Sequence, residues 1–199
     1  MAGNNEITTK EKILKTAAKM FSEKGYDKVT TREIAKAVGI NAASIYYHFP
    51  SKEDILKSLY NFYSEQRRAE YPDLDELLQL AKTDLPHRVL MKSEFHYNLE
   101  LTEILDQILI TAARRIGGDS LSERFIQENI FDSIENILKP LLSHMVELDK
   151  IKPFDIDLFI NVLSYYCFGA AALNNSPFGR DIAGYQAAMA YMLSFVAPL

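Results

Sequence analysis

The sequence predicts an all-α protein with a small N-terminal three-helix unit and a larger helical body. Three observations carry that prediction. Apolar residues recur at helical spacing from Ile13 onward. The helix-start signature of a hydroxyl side chain followed three residues later by glutamate occurs at Thr8/Glu11 and again at Thr30/Glu33. Beyond Lys57 the strand signals of alternating apolar residues and Asn-Gly or Asp-Gly turns are absent. With 199 residues, 48% of them hydrophobic, the chain can bury a good core as one large domain or two small ones.

The first helix is predicted over residues 9–24, with Ile13, Leu14, Ala17 and Phe21 on its apolar face and Gly25 as its stop. The second follows Thr30, buries Ile34, Ala35 and Val38, and ends at Gly39, which can take the left-handed conformation. Asn41 caps a third short helix that runs through His48 and must stop before Pro50, because the residue preceding a proline is pushed out of the α region. Ser51 caps a longer fourth helix, with Asp54 at its N3 position, which continues through KSLYNFYSEQRR to Pro72.

Two short helices joined by a glycine-containing turn and braced by a longer first helix form a helix-turn-helix. In that geometry the second short helix is the recognition helix, and its first residues, here Asn41, Ala42, Ala43 and Ser44, face base edges in the major groove. Alanines neither donate nor accept, so they leave room for DNA or touch a thymine methyl. The charge distribution fits an anion-binding head. Up to Lys52 there are nine Lys/Arg and five Asp/Glu, net +4, whereas the remainder has thirteen and twenty-two, net −9. Charge alone is equally met by the solvated faces of amphipathic helices. The predicted division is a DNA-binding domain over 1–52 and a body over 53–199.

In the body, helices are predicted over 73–83, 86–97 and 101–115, the last ending at Gly117-Gly118. A long helix over 120–148, kinked at Pro140, follows, and two apolar helices over about 155–174 and 180–197 are separated by NNSPFG. No internal repeat is evident. The lone cysteine, Cys167, lies in the apolar run LSYYCFGAAAL and reads as a core thiol.

The stretch TTREIAKAVGINAASIYYHFPSKEDIL, Thr30 to Leu56, is similar to the DNA-binding segment of the TetR family of bacterial transcriptional regulators. The resemblance runs from about Thr9 to Leu59 and rests on Thr-x-x-x-Ile-Ala-x-x-x-Gly-Ile and Tyr-x-His-Phe-x-x-Lys. It implies that Thr31 and Arg32 approach DNA at the start of the second helix. Asn41, Ala42, Ser44 and Tyr46 are then base-facing, and Tyr47, His48 and Lys52 contact phosphates. Ala42 and Ala43 depart from the longer polar side chains common in relatives, which shifts weight to Arg32 and to DNA shape. Adjacent helical positions cannot both face the core, so at most one of Tyr46 and Tyr47 packs inward.

The resemblance also implies a small-molecule pocket between the fourth helix and those after it, with Phe62, Phe95, His96, Gln107, Asn129, Ser133 and Tyr166 as its expected lining. It further implies a homodimer in which the last two helices form a four-helix bundle with their twofold mate; the alternative is that they complete the monomer's own core. The expected function is a repressor released from double-stranded operator DNA by an effector.

Other classes fit less well. The four histidines are followed by Phe49, Arg88, Tyr97 and Met145, so no HExxH or paired ExxH motif forms, and no glycine-rich phosphate loop or GxSxG elbow is present. No enzyme and no cofactor or metal are expected. A helical adaptor for proteins explains the body but leaves the tyrosine, histidine and lysine grouping idle. No apolar run is long enough to cross a bilayer and MAGNNEITTKEK lacks a secretory signal, so a cytoplasmic protein is expected.

Overall fold

The capping residues read from the sequence build the N-terminal helices. A computed structural model describes residues 8–70, 73–93 and 99–173. Helix α1 (Thr9–Lys24) opens with a reciprocal cap: the Thr8 amide donates to Glu11 at 2.7 Å and the Glu11 amide donates to the Thr8 hydroxyl at 3.2 Å. It ends at Gly25, and a 3₁₀ turn (Tyr26–Lys28) leads to α2 (Thr31–Val38), which repeats the device with Thr30 and Glu33. Gly39 has φ 80° and ψ 28°, the left-handed geometry that lets the Ile40 amide reach back to the Ala35 carbonyl and close α2. Asn41 caps α3 (Ala42–His48), accepting from the Ala43 amide at 2.6 Å.

Helix α4 (Lys52–Glu70) begins under the Ser51 cap, whose hydroxyl accepts from the Asp54 amide and donates to its carboxylate. The body continues with α5 (Leu74–Thr83), α6 (Pro86–Ser93) and α7 (Leu99–Ala113). The predicted helix over 120–148 is broken, and the break does not fall at Pro140. Helix α8 (Ser120–Ile126) passes through a π turn (Gln127–Phe131) into α9 (Asp132–Glu147), which carries Pro140 in its interior. Side chains competing for backbone carbonyls explain the position: Asn129 donates to the Phe125 carbonyl at 2.9 Å, and Ser133 to the Asn129 carbonyl at 2.8 Å. Helix α10 (Ile156–Leu173) is the first of the two predicted apolar helices. The second lies outside the described residues.

One hydrophobic cluster runs from the helix-turn-helix into the body. Phe21, Ile34 and Ile45 of the head are wholly buried in it, together with Ile55 and Leu59 of α4, Leu105 and Ile108 of α7, and Phe125 of α8. Each such side chain contributes about 1.5–3 kcal/mol of burial. The two parts that the sequence divides at residue 52 therefore share a core, and α1 lies along α7. Cys167 packs against that core, partly buried. A second, distal cluster gathers Leu77, Ala81, Val89, Leu141, Leu142 and Met145.

Candidate nucleic-acid interface

Helix α3 buries only Ile45, so its remaining side chains form a surface. Tyr47 is 88% exposed and Tyr46 51%, so neither packs into the core. Both rings thus stand outside the core, on a seven-residue helix. The Tyr46 hydroxyl and the Thr31 hydroxyl are 3.0 Å apart, tying α3 to the start of α2. The Tyr47 ring meets the His48 ring edge-on at 5.3 Å. Arg32 and Asn41 are exposed on the same side chain-bearing pair of helices, with Thr31, Ala42, Ser44 and His48 partly buried.

Lys52 behaves differently from the others. Its ammonium donates to the carbonyls of Tyr26 and Val29, both at 3.0 Å, and lies 4.1 Å from the centre of the Tyr26 ring. Burial lowers its pKa, against the pull of Asp27 and with help from the Arg115 charge. Two of its three ammonium protons are taken by these carbonyls.

The five expected effector positions among the described residues lie on five different elements. Phe62 is half-buried against the main core, Gln107 pairs with Glu103 at 3.2 Å on α7, and Asn129 accepts from Ser64 of α4 at 3.0 Å. Ser133 bonds within its own helix, and Tyr166 on α10 is 38% exposed. Phe95 and His96 lie outside the described residues. A cleft of about 210 Å³ between α4 and α8 is lined by Lys57, Tyr60, Ser64, Arg124, Phe125 and Glu128 among others, and by none of the seven. Among the described residues no group of three His, Cys, Asp or Glu side chains could hold a metal ion, and no helix is long and apolar enough to cross a membrane.

Sequence reasoning missed a polar junction where the body grips the head. Arg115, just past α7, donates to Asp119 at 3.1 Å and to Asp27 at 3.3 Å, and its guanidinium lies 4.0 Å from the centre of the Tyr26 ring. Arg114 donates to the Ser22 carbonyl in the last turn of α1. Burial pushes the Asp119 carboxyl up, but bonds from Ser122 and Arg115 outweigh it and hold the group below the usual carboxylate range. Ser122 gives its one proton to Asp119, so the Tyr60 hydroxyl, 2.7 Å away, donates to Ser122. Burial pushes the Tyr60 phenol up to about 12. The only sequence signal for this junction was Asp119 followed by Ser122, an ordinary helix cap.

Residues 13–59 match the family described as bacterial regulatory proteins, tetR family. The nucleoid occlusion factor SlmA of Vibrio cholerae serotype O1 is 30% identical over 182 residues, 91% of this chain and 89% of that protein. The chain belongs to the tetR family. IcaR of Staphylococcus aureus strain Newman, a negative transcriptional regulator of the biofilm operon icaADBC, is 56% identical over 46 residues, 23% of this chain and 25% of that protein. A crystal structure of a gamma-butyrolactone receptor superposes with TM-score 0.65 at 21% identity, covering 96% of this chain and 89% of that one, a likeness of fold. All nine predicted DNA-facing residues of this tetR-family chain fall inside the family match, and all seven predicted effector residues fall outside it. Family and fold are those of regulators, not of enzymes.

Proposed function

We propose that the chain is a sequence-specific DNA-binding transcriptional regulator, a homodimeric repressor that a small molecule releases from its operator. The observation that carries this reading is the α3 surface: two exposed tyrosines beside Arg32, Asn41 and Ser44, on short helices anchored by the buried Ile34 and Ile45. Tyrosine hydroxyls, a histidine and backbone amides at helix starts are suited to phosphates, while Arg32, Asn41, Ser44 and Tyr46 reach toward bases. None of this needs the whole chain to be basic.

The dimer is supported by α10, where Leu158, Val162 and Tyr165 form an exposed stripe on one helical face, 60%, 51% and 67% accessible. Release by a small molecule is supported by the fold shared with a gamma-butyrolactone receptor and by α4, one helix that touches the head at Lys52 and carries Phe62 in the body. At 19 residues it spans about 28 Å. Moving the population from 1:99 to 99:1 takes about 5.5 kcal/mol of preference for the released state, so weak effectors act partially.

A second reading keeps DNA binding and drops transcription. It is favoured by one observation: a relative that matches over 91% of this chain is named a nucleoid occlusion factor, whereas IcaR matches over 23% of it. Selection from a random duplex library tests the shared part. Enrichment of a twofold-symmetric sequence is the expected result, and no enrichment over a protein-free control overturns both readings. Placing the enriched sequence upstream of a reporter separates them, since only a repressor lowers expression there.

A further inference from the structure

The turn between α1 and α2 is held from two sides by cations that belong to other parts of the chain. Lys52, at the start of α4, bonds the Tyr26 and Val29 carbonyls and lies over the Tyr26 ring. Arg115 comes from the corner after α7, lies over the same ring at 4.0 Å and pairs with Asp27 of the same turn. The turn matters because only Val29 separates it from Thr30, the cap of α2, so its position bears on the angle at which α2 and α3 are presented. Arg115 is itself aimed from the body: its Nε donates to Asp119, Asp119 accepts from the Ser122 amide and hydroxyl, and Ser122 accepts from Tyr60 of α4. Tyr60 also lines the cleft between α4 and α8. A fork held at one carboxylate can present its flat face to a ring in one orientation only, which a flexible ammonium cannot do.

We propose that Arg115 is a positioning residue for DNA binding, fixing the head against the body by stacking on Tyr26, so that the two heads of a dimer reach both halves of one site together. The inference rests on the reading of the chain as a dimeric DNA-binding protein. The shared core still joins head and body without Arg115, but a turn freed from it presents α2 and α3 at a less defined angle. That leaves the reading surface intact and lowers the effective concentration at the second half-site, so loss of Arg115 weakens binding to a whole site and spares binding to half of one. Loss of a merely structural contact weakens both.

The test uses the full-length protein and two probes: the duplex that the wild type enriches from a random library, and the same duplex with one half scrambled. In anisotropy titrations, Arg115→Ala and Tyr26→Leu are each expected to weaken whole-site binding at least tenfold and half-site binding less than twofold. Their double variant is expected to be weaker than wild type by less than the product of the two single effects, because the Arg115–Tyr26 contact they share is lost only once. Tyr26→Phe, which keeps the ring, is expected to bind both probes within twofold of the wild type, and the Tyr26 pair carries the test if Arg115→Ala fails to fold. The proposal is overturned if Arg115→Ala binds the whole site within twofold of the wild type, if it weakens both probes alike, or if Tyr26→Phe is as weak as Tyr26→Leu. A wild type that enriches no duplex instead overturns the DNA-binding reading beneath it.

Discussion

The head and the far end of the body reach burial by different routes. From Thr8 to Leu56 each helix carries its own start and stop: Thr8 with Glu11, Thr30 with Glu33, Asn41 and Ser51 as caps, and Gly39 as a left-handed terminator. The distal cluster instead depends on α5 meeting α9, Leu77 against Leu141 and Leu142, across a long stretch of chain. Each helix of the head is closed by local signals, whereas in the distal cluster α5 has the Asp73 cap but α9 opens without a side-chain cap, so packing carries more of its specification. The α2–α3 surface is therefore held by its own caps and by the main core, with none of its buried residues in the distal cluster.

The comparison breaks most sharply through the cores. Phe21→Ala should cost about 3–5 kcal/mol and, because its cluster runs through α4, α7 and α8, should raise hydrogen exchange in α1–α3 and α7 together. Leu142→Ala should cost about 2–5 kcal/mol yet leave exchange in α1–α3 at wild-type rates under native conditions. Equal acceleration of α1–α3 by Leu142→Ala would show the two cores to be one.

The junction gives the next effect. The Tyr60 phenol is raised to about 12 in the folded chain, so between pH 10 and 12 the unfolded state gives up its proton while the folded state keeps it, and stability falls with rising pH. About 2–3 kcal/mol of that loss belongs to Tyr60, and urea midpoints for Tyr60→Phe should fall less over this range than those of the wild type. Identical falls would remove Tyr60 from the alkaline transition.

Smaller effects sharpen the account of the head. Gly39→Ala should cost about 1–2 kcal/mol, all of it conformational, because φ is 80° and a Cβ there meets nothing within 4 Å. Thr30→Ala should cost about 1 kcal/mol by opening the cap of α2, and Thr30→Ser should restore most of it. Denaturant midpoints measure both. A Gly39→Ala protein as stable as the wild type would mean that the turn is free to rearrange.

Much of the fold was legible because its signals are local. The helix boundaries of α1 through α4 follow from caps, glycines and prolines within four residues of each end, and Ile13, Phe21, Ile34 and Ile45 announced the head's core by their spacing. The π turn was not legible, since it depends on Asn129 and Ser133 taking carbonyls that a regular helix would use, and Asn129 is steadied by Ser64 from a distant helix. For the same reason the Tyr26 and Val29 carbonyls that take two of the Lys52 protons were not legible, since nothing within a turn of Lys52 reveals them. Arg115 carried no signal at all, because Asp27 and Tyr26 lie far away in the chain. The exposure of both Tyr46 and Tyr47 follows from Ile45 filling the only inward position of α3.

A hydroxyl-radical footprint on the enriched duplex decides whether the α2–α3 surface of a twofold pair reads DNA. Two protected patches are expected on one face of the duplex, centred one or more whole helical turns apart, about 34–36 Å per turn. Tyr47→Ala should fade both patches evenly on any sequence, and Arg32→Ala should remove the preference for the enriched one. A single unpaired patch, or a footprint that neither substitution alters, would contradict DNA reading by that surface.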